Sequence, residues 1–273
     1  MKTLYLDLGM GAAGDMLTAA LLELMPDREE ALASLNGLGL PGVVYAAETA
    51  QKCGILGTHM HVRIHGQEEE PSQDLPDHGH GHVHEHEHEH VHGHTHEHNH
   101  EHPHSHTALA DIQALVSGLS VSDNVKAQVL EVYDRIAQAE SQVHGVPVDR
   151  IHFHEVGSLD ALADVTAVCY LLERLAPEKI LASPVQVGFG KTRCAHGILP
   201  VPAPATARIL LGVPIRAGDI PGELCTPTGA ALLRQFVTDY GPMPLMTVER
   251  IGYGLGTKDF PAANCLRAML GTG

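Results

Sequence analysis

Apolar and polar positions near the start of the chain alternate and then shift to a helical period. Thr3 to Leu8 reads as a short strand, Gly9 to Gly14 as a turn, and an apolar stretch from about Asp15 to Leu24 as a helix. Asp27, with Glu30 three residues on, predicts the capped start of a second helix, and Gly37 falls just past its end. Val43 to Ala50 and Thr58 to Ile64 predict two strands. In the second, Met60, Val62 and Ile64 share one face, and His59, His61 and Arg63 the other. Further on, Ala108 to Leu119 and Ser122 to His144 predict helices, the second stopped by Gly145 and Pro147. A strand at Ile151 to Glu155 leads to Ser158, which caps a helix reaching about Leu175. Ile180 to Val187 has strand character, and Gly188 to Pro204 reads as a long Gly- and Pro-rich loop. Thr226-Pro227 opens a helix expected to run to Tyr240, since proline at the first helical position gives up a donor that has no partner there. The alternation predicts an α/β fold, a mixed α/β arrangement, with segregated α+β as the other option.

Between these halves the pattern fails. From His78 to His106 every even-numbered residue is histidine, 15 of the 22 in the chain. The same region, Gln67 to His106, holds ten of the acidic residues and no Lys or Arg, so most of the formal charge of −16 belongs to it. It has too little apolar surface to offset ordering entropy and is expected to be a disordered insert. The predicted organisation is an α/β part at 1–66, the insert at 67–107, and 108–273 completing the same domain. Imidazole suits Ni, Cu and Zn. His80, His82, His84, His86, His88, His90, His92, His94, His96, His98, His100, His102 and His104 therefore offer many overlapping ligand sets for capturing a divalent metal. A terminal tag would not be internal and interleaved with glutamate, and a merely solvating loop has no need of histidine.

The rest of the composition excludes several classes. An acidic chain with no Trp, four Phe and six Tyr offers neither a phosphate-neutralising stripe nor stacking platforms for nucleic acid. No apolar run approaches a membrane span, and Asp7 and Asp15 interrupt the N-terminal apolar stretch, so no secretory signal is expected. Five scattered cysteines without a C-x-x-C pair suggest reduced thiols and a cytoplasmic protein.

Two segments carry candidate chemistry. Gly9-Met-Gly11-Ala-Ala-Gly14 matches a dinucleotide-binding turn, but Asp15 puts negative charge where a pyrophosphate would sit. The position expected for a ribose-binding acid also falls in a helix. The turn reads better as a bend that brings Asp7 and Asp15 together for Mg2+ or another cation, or as a purely structural turn. His152-Phe-His154-Glu155, followed by Asp160 and Asp164 on one helix face, concentrates ionisable groups at a strand end. His196 in its loop has Lys191, Arg193 and Arg208 nearby to hold an anion, while Cys194 and Cys225 read as inert.

Taken together the motifs resemble the nickel-pincer cofactor cyclometallase family, the nickel-insertion proteins of lactate racemase maturation. The likeness rests on Asp7-x3-Gly11-x2-Gly14-Asp15-Met16 and on His152-Phe-His154-Glu155-Val156-Gly157 with Asp160 and Asp164. Ala195-His196-Gly197 through Thr206, Gly222-Glu223-Leu224-x-Thr226-Pro227-Thr228-Gly229-Ala230, and Gly252-Tyr253-Gly254-x-Gly256 complete it. The resemblance implies insertion of Ni2+ into pyridinium-3,5-bisthiocarboxylic acid mononucleotide, with CTP consumed, to make the lactate racemase cofactor. It implies lactate racemase apoprotein as recipient and a homo-oligomeric state. Family members continue into a C-terminal region associated with the nucleoside triphosphate; this chain stops at Gly273, so a companion C-terminal portion is expected. Within that reading His154 or Glu155 is the expected base, with His152, Asp7, Asp15 and Asp160 steering nickel or a Mg2+ or Mn2+ ion. Lys191, Arg193, His196 or the Gly9, Gly11 and Gly14 turn would hold the substrate. The rival is a nickel storage or delivery protein without bond chemistry; a generic metal-dependent hydrolase is a third option.

Overall fold

Strand β1 (Lys2–Asp7) is buried on both faces, with Leu4 and Leu6 on one and Thr3 and Tyr5 on the other, as a central strand requires. The computed structural model describes residues 1–68, 73–75, 107–153, 155–194 and 196–273. The expected metal-binding histidines from His80 to His104, and His154, lie outside them.

Strands β2 (Val43–Lys52), β3 (Ile55–Ile64), β4 (Lys179–Ala182), β5 (Asp239–Tyr240), β6 (Thr247–Leu255) and β7 (Cys265–Thr272) join β1 in one mixed sheet. Its order is β5-β4-β1-β7-β6-β3-β2. The β5–β4, β4–β1 and β6–β3 pairs are parallel, and the β1–β7, β7–β6 and β3–β2 pairs are antiparallel. Strands from both sides of the histidine-rich stretch thus share one sheet. The fold is mixed α/β.

Helices α1 (Gly14–Glu23) and α2 (Arg28–Asn36) follow β1. α3 (Leu109–Ser117), α4 (Asp123–His144), α5 (Leu159–Leu175), α6 (Pro204–Ile209) and α7 (Pro227–Phe236) come later. α1 lies on β6, β3 and β7, α5 packs on α1, and α4 packs across α5, α6 and α7. α4 manages this because Val125, Val129, Val132 and Ile136 recur at helical spacing and are fully buried. Its Tyr133 meets Phe153 edge to face, with ring centroids 5.8 Å apart. The close seat of α1 on β6 explains two glycines: a Cβ at Gly252 or Gly254 would drive into the backbone of Ala20 or Met16.

The elements expected from the sequence pattern are redrawn in five places. The strand expected at Ile151 to Glu155 is only His152–Phe153, followed by a 3-10 turn at Glu155–Gly157. The strand expected at Ile180 to Val187 splits after Ala182, and Val185–Gln186 pairs instead with Ile215–Arg216. The expected loop from Gly188 contains a hairpin, Lys191–Cys194 against Gly197–Pro200. The helix expected to reach Tyr240 stops at Phe236, because Asp239–Tyr240 joins the sheet beside β4. At the edges of the expected insert, Gln67–Glu68 pairs with β3, Gln73–Leu75 with Lys191–Arg193, and Thr107–Ala108 with His152–Phe153.

Candidate functional site

The β1–α1 turn builds one wall of a cleft of about 580 Å3. Three of its amides are committed to the protein. Gly9 N donates to Asp7 Oδ1 at 3.2 Å, Gly11 N to Leu8 O at 3.0 Å, and Ala12 N to Leu224 O at 3.0 Å. Thr226 N returns a bond to Ala12 O at 3.1 Å, which staples the starts of α1 and α7 side by side. Gly11 sits at φ +79° with its Cα against the Leu224 backbone, and Gly14 is pressed against the Asp164 side chain, which brings α1 onto α5. Gly11 and Gly14 therefore serve close packing.

That packing gathers three helix N-termini around one space. Ala13, Gly14, Asp15 and Met16 come from α1; Ser158, Asp160, Ala161 and Asp164 from α5; and Thr226, Pro227 and Thr228 from α7. Ser158 and Thr226 cap their own helices, accepting from Ala161 N at 3.2 Å and Gly229 N at 3.1 Å, whereas Ala13 gives α1 no side-chain cap. The loop after β6 closes the far side with Lys258 and Phe260, and Asn264 braces it by donating from Nδ2 to Lys258 O at 2.8 Å. Met60, Val62 and Val156 supply apolar wall, and Glu223 and Glu68 add carboxylates.

The electrostatics are mixed by design of the backbone. Each helix start carries about half a positive charge, which favours anions. Against them stand Asp15, Asp160, Asp164, Glu223 and Glu68. Burial pushes the Asp15 carboxyl up, while the Met16 amide and His59 pull it down. Tyr45 and Tyr133 are held well above the usual phenol range, first by burial and then by the charges of Asp164 and Asp160. A plain anion meets the carboxylates and a plain cation meets the helix ends. A ligand that carries phosphate together with a cationic ring or metal satisfies both.

The other expected site residues are distributed more widely. Asp7 pairs with Arg267 at 2.6 Å and is not among the described residues lining the cleft, whereas Asp15 is. Lys191 and Arg193 are exposed on the hairpin, also away from the lining. His196 is exposed and stacks on His144 at the end of α4, ring centroids 4.8 Å apart. His152 is exposed on its two-residue strand. Glu155 opens the 3-10 turn that delivers Val156 to the cleft wall. Burial pushes the Cys225 thiol far up, consistent with an inert packing residue. Sequence reasoning had not marked Glu223, Lys258, Asn264 or Glu68 as cleft residues. The signals pointing toward them were the Gly222-Glu223-Leu224-x-Thr226-Pro227 and Gly252-Tyr253-Gly254-x-Gly256 motifs.

Comparison with known proteins adds to this picture. A family model described as "Nickel insertion protein" matches residues 4–273. The chain belongs to the nickel insertion protein family. A relative from Desulfitobacterium hafniense is 40% identical over 271 residues, covering 99% of this chain and 58% of the relative. One from Geobacillus kaustophilus is 37% identical over 272 residues, covering 60% of its length, and one from Clostridium kluyveri 38% over 276 residues, covering 62%. All three are named pyridinium-3,5-bisthiocarboxylic acid mononucleotide nickel insertion protein. The chain therefore spans about three fifths of the length of these relatives. No solved structure matches. Among the described residues, no helix is long and apolar enough to cross a membrane.

Proposed function

We propose that this chain is the nickel-handling portion of an enzyme that inserts Ni2+ into pyridinium-3,5-bisthiocarboxylic acid mononucleotide. CTP is the co-substrate, Mg2+ or Mn2+ accompanies the triphosphate, and a C-terminal portion completes the CTP site. The product is the nickel-pincer cofactor delivered to lactate racemase. One observation carries the reading: three helix N-termini and a set of carboxylates face the same cleft, which suits a substrate bearing both a phosphate and a pyridinium cation. The names of the relatives point to the same substrate.

The chemistry then follows from ligand strength. Imidazoles of the histidine tract hold Ni2+ as the cargo. The thiocarboxylate sulfurs of the substrate form a softer, charged clamp, so transfer from nitrogen to sulfur runs downhill. The helix starts and Lys258 hold the phosphate, and the acids of α1 and α5 lie against the cationic ring and the incoming metal. Forming the Ni–C bond requires a base for one ring proton. His154 and Glu155, just ahead of α5, are the proposed acceptors, with His152 alongside, and Asp15 is a second carboxyl whose burial makes it more basic than usual. Nickel storage without bond chemistry is the competing function.

The test combines the chain, Ni2+, Mg2+, CTP and the metal-free nucleotide, with and without the C-terminal portion. Mass spectrometry is expected to find the nickel adduct lacking one ring proton when both portions are present. Nickel bound to protein with no adduct formed under either condition would refute the proposal.

A further inference from the structure

A second group of metal-ligating side chains stands at the rim of the cleft, which it shares through Glu68. His59 and His61 project from the same face of β3, and the strand Gln67–Glu68 folds back to bring Glu68 beside them. One ligand atom from each of His59, His61 and Glu68 lies within 4.8 Å of the others, close enough for all three to contact one ion. The rings of His59 and His61 sit edge to face with centroids 4.4 Å apart. We propose that His59, His61 and Glu68 form a structured site for a single first-row divalent cation of the nickel class.

Two features of the hydrogen bonding support this. His59 Nδ1 lies 3.0 Å from Leu255 O. A carbonyl oxygen only accepts, so Nδ1 carries the proton and Nε2 presents its lone pair outward. A backbone carbonyl orients metal-binding histidines in the same way. His61 is more unusual. Its Nδ1 is 2.7 Å from Glu68 and its Nε2 is 3.1 Å from Glu48, so both ring nitrogens face carboxylates. A neutral imidazole has one N–H, so one of these contacts sets lone pair against lone pair unless a positive charge lies between them. A second proton is one such charge; a divalent cation shared with His59 Nε2 is the other, and only the cation also uses His59.

Two imidazoles and a carboxylate favour nickel, copper or zinc over magnesium, which prefers an all-oxygen shell. The strands fix the geometry. His59 opposes Glu48 in the β2–β3 register, and Arg63 opposes Glu68, so a one-residue slip would scatter the set across both faces. Glu68 also lines the cleft, which puts the site at the cleft rim. A role as the last station before the substrate rests on the proposed nickel insertion; occupancy of the site does not.

The test uses the full-length chain with the alternating histidines from His78 to His106 replaced by serine, so that they no longer bind metal. Equilibrium dialysis with Ni2+ alone is expected to load one ion per chain, unaffected by excess Mg2+. His59→Ala with His61→Ala should weaken that binding by about tenfold or more. Glu68→Gln, an exposed and conservative change, should weaken it as well, while Arg63→Ala on the same face should keep it. Melting temperatures of the variants separate lost ligands from lost folding. Equal nickel binding by the serine-substituted chain and its His59→Ala/His61→Ala form, with both folded, would overturn the proposal. Nickel bound at this site by a whole protein that forms no cofactor adduct would leave the site standing and remove the proposed function instead.

Discussion

Gly14→Ala tests whether packing of α1 on α5 shapes the cleft. A Cβ at position 14 would fall 2.6 Å from Asp164 Cβ and 2.7 Å from its Cγ. Ordinary carbon–carbon contact needs about 3.5 Å, so the two helices must part by close to an ångström or distort. Asp164 is only 7% exposed and sits in the second turn of α5, so its side chain has little room to swing away. Overpacking of this kind costs about 1–3 kcal/mol. For a chain of this size that is a fall of roughly 3–9 °C in melting temperature. Gly241→Ala is the control, since nothing lies within 4 Å of its added Cβ. Thermal unfolding followed by circular dichroism gives the comparison. Were Gly14→Ala to melt together with the wild type and Gly241→Ala, the α1–α5 seam would not be as tight as described.

Three further outcomes are expected. Burial raises the Asp15 carboxyl pKa in the folded chain, so its stabilising contribution is present at low pH and lost as pH rises through the folded value. Asp15→Asn should therefore raise the melting temperature near pH 7.5, and the gain should shrink toward the ordinary carboxylate value of 3.8. A gain that grew on acidification would reverse the assignment. In the whole protein, His154→Ala and Glu155→Gln should slow nickel insertion by about 100-fold or more if either is the base, measured in single turnover. Wild-type rates in both would remove them from that role. Deleting residues 78–106 should spare turnover at saturating nickel and impair it when nickel is scarce. Loss of activity at every nickel concentration would instead make the tract part of the reaction.

Much of the fold follows from local chemistry. Asp27, Ser122, Ser158 and Thr226 each accept from a backbone amide three residues on, and each marks a helix start that the sequence alone identifies. Strands β6 and β7 escaped the pattern. β6 carries Gly252 and Gly254, which look like loop residues until α1 is seen lying on them, and its solvent side keeps Glu249 and Ile251 exposed. The helix from Thr226 reads on to Tyr240 because nothing local announces that Asp239–Tyr240 pairs with β4. In the cleft, Asp15, Asp160 and Asp164 were visible as acids near helix starts. Lys258, Asn264, Glu223 and Glu68 were not, because Lys258 and Asn264 come from the loop between β6 and β7, Glu223 from a two-residue strand paired with Gly188–Phe189, and Glu68 from the return strand after β3.

Nickel X-ray absorption in single turnover tests most directly whether this cleft moves nickel from nitrogen and oxygen ligands onto sulfur. The whole protein, loaded with one equivalent of nickel and mixed with the metal-free nucleotide and CTP, should lose imidazole scattering and gain nickel–sulfur scattering. The doubly substituted Asp15→Asn/Asp160→Asn protein should stay folded and keep its nickel on nitrogen ligands. Sulfur scattering that appears equally fast in both proteins would place the transfer somewhere other than this cleft.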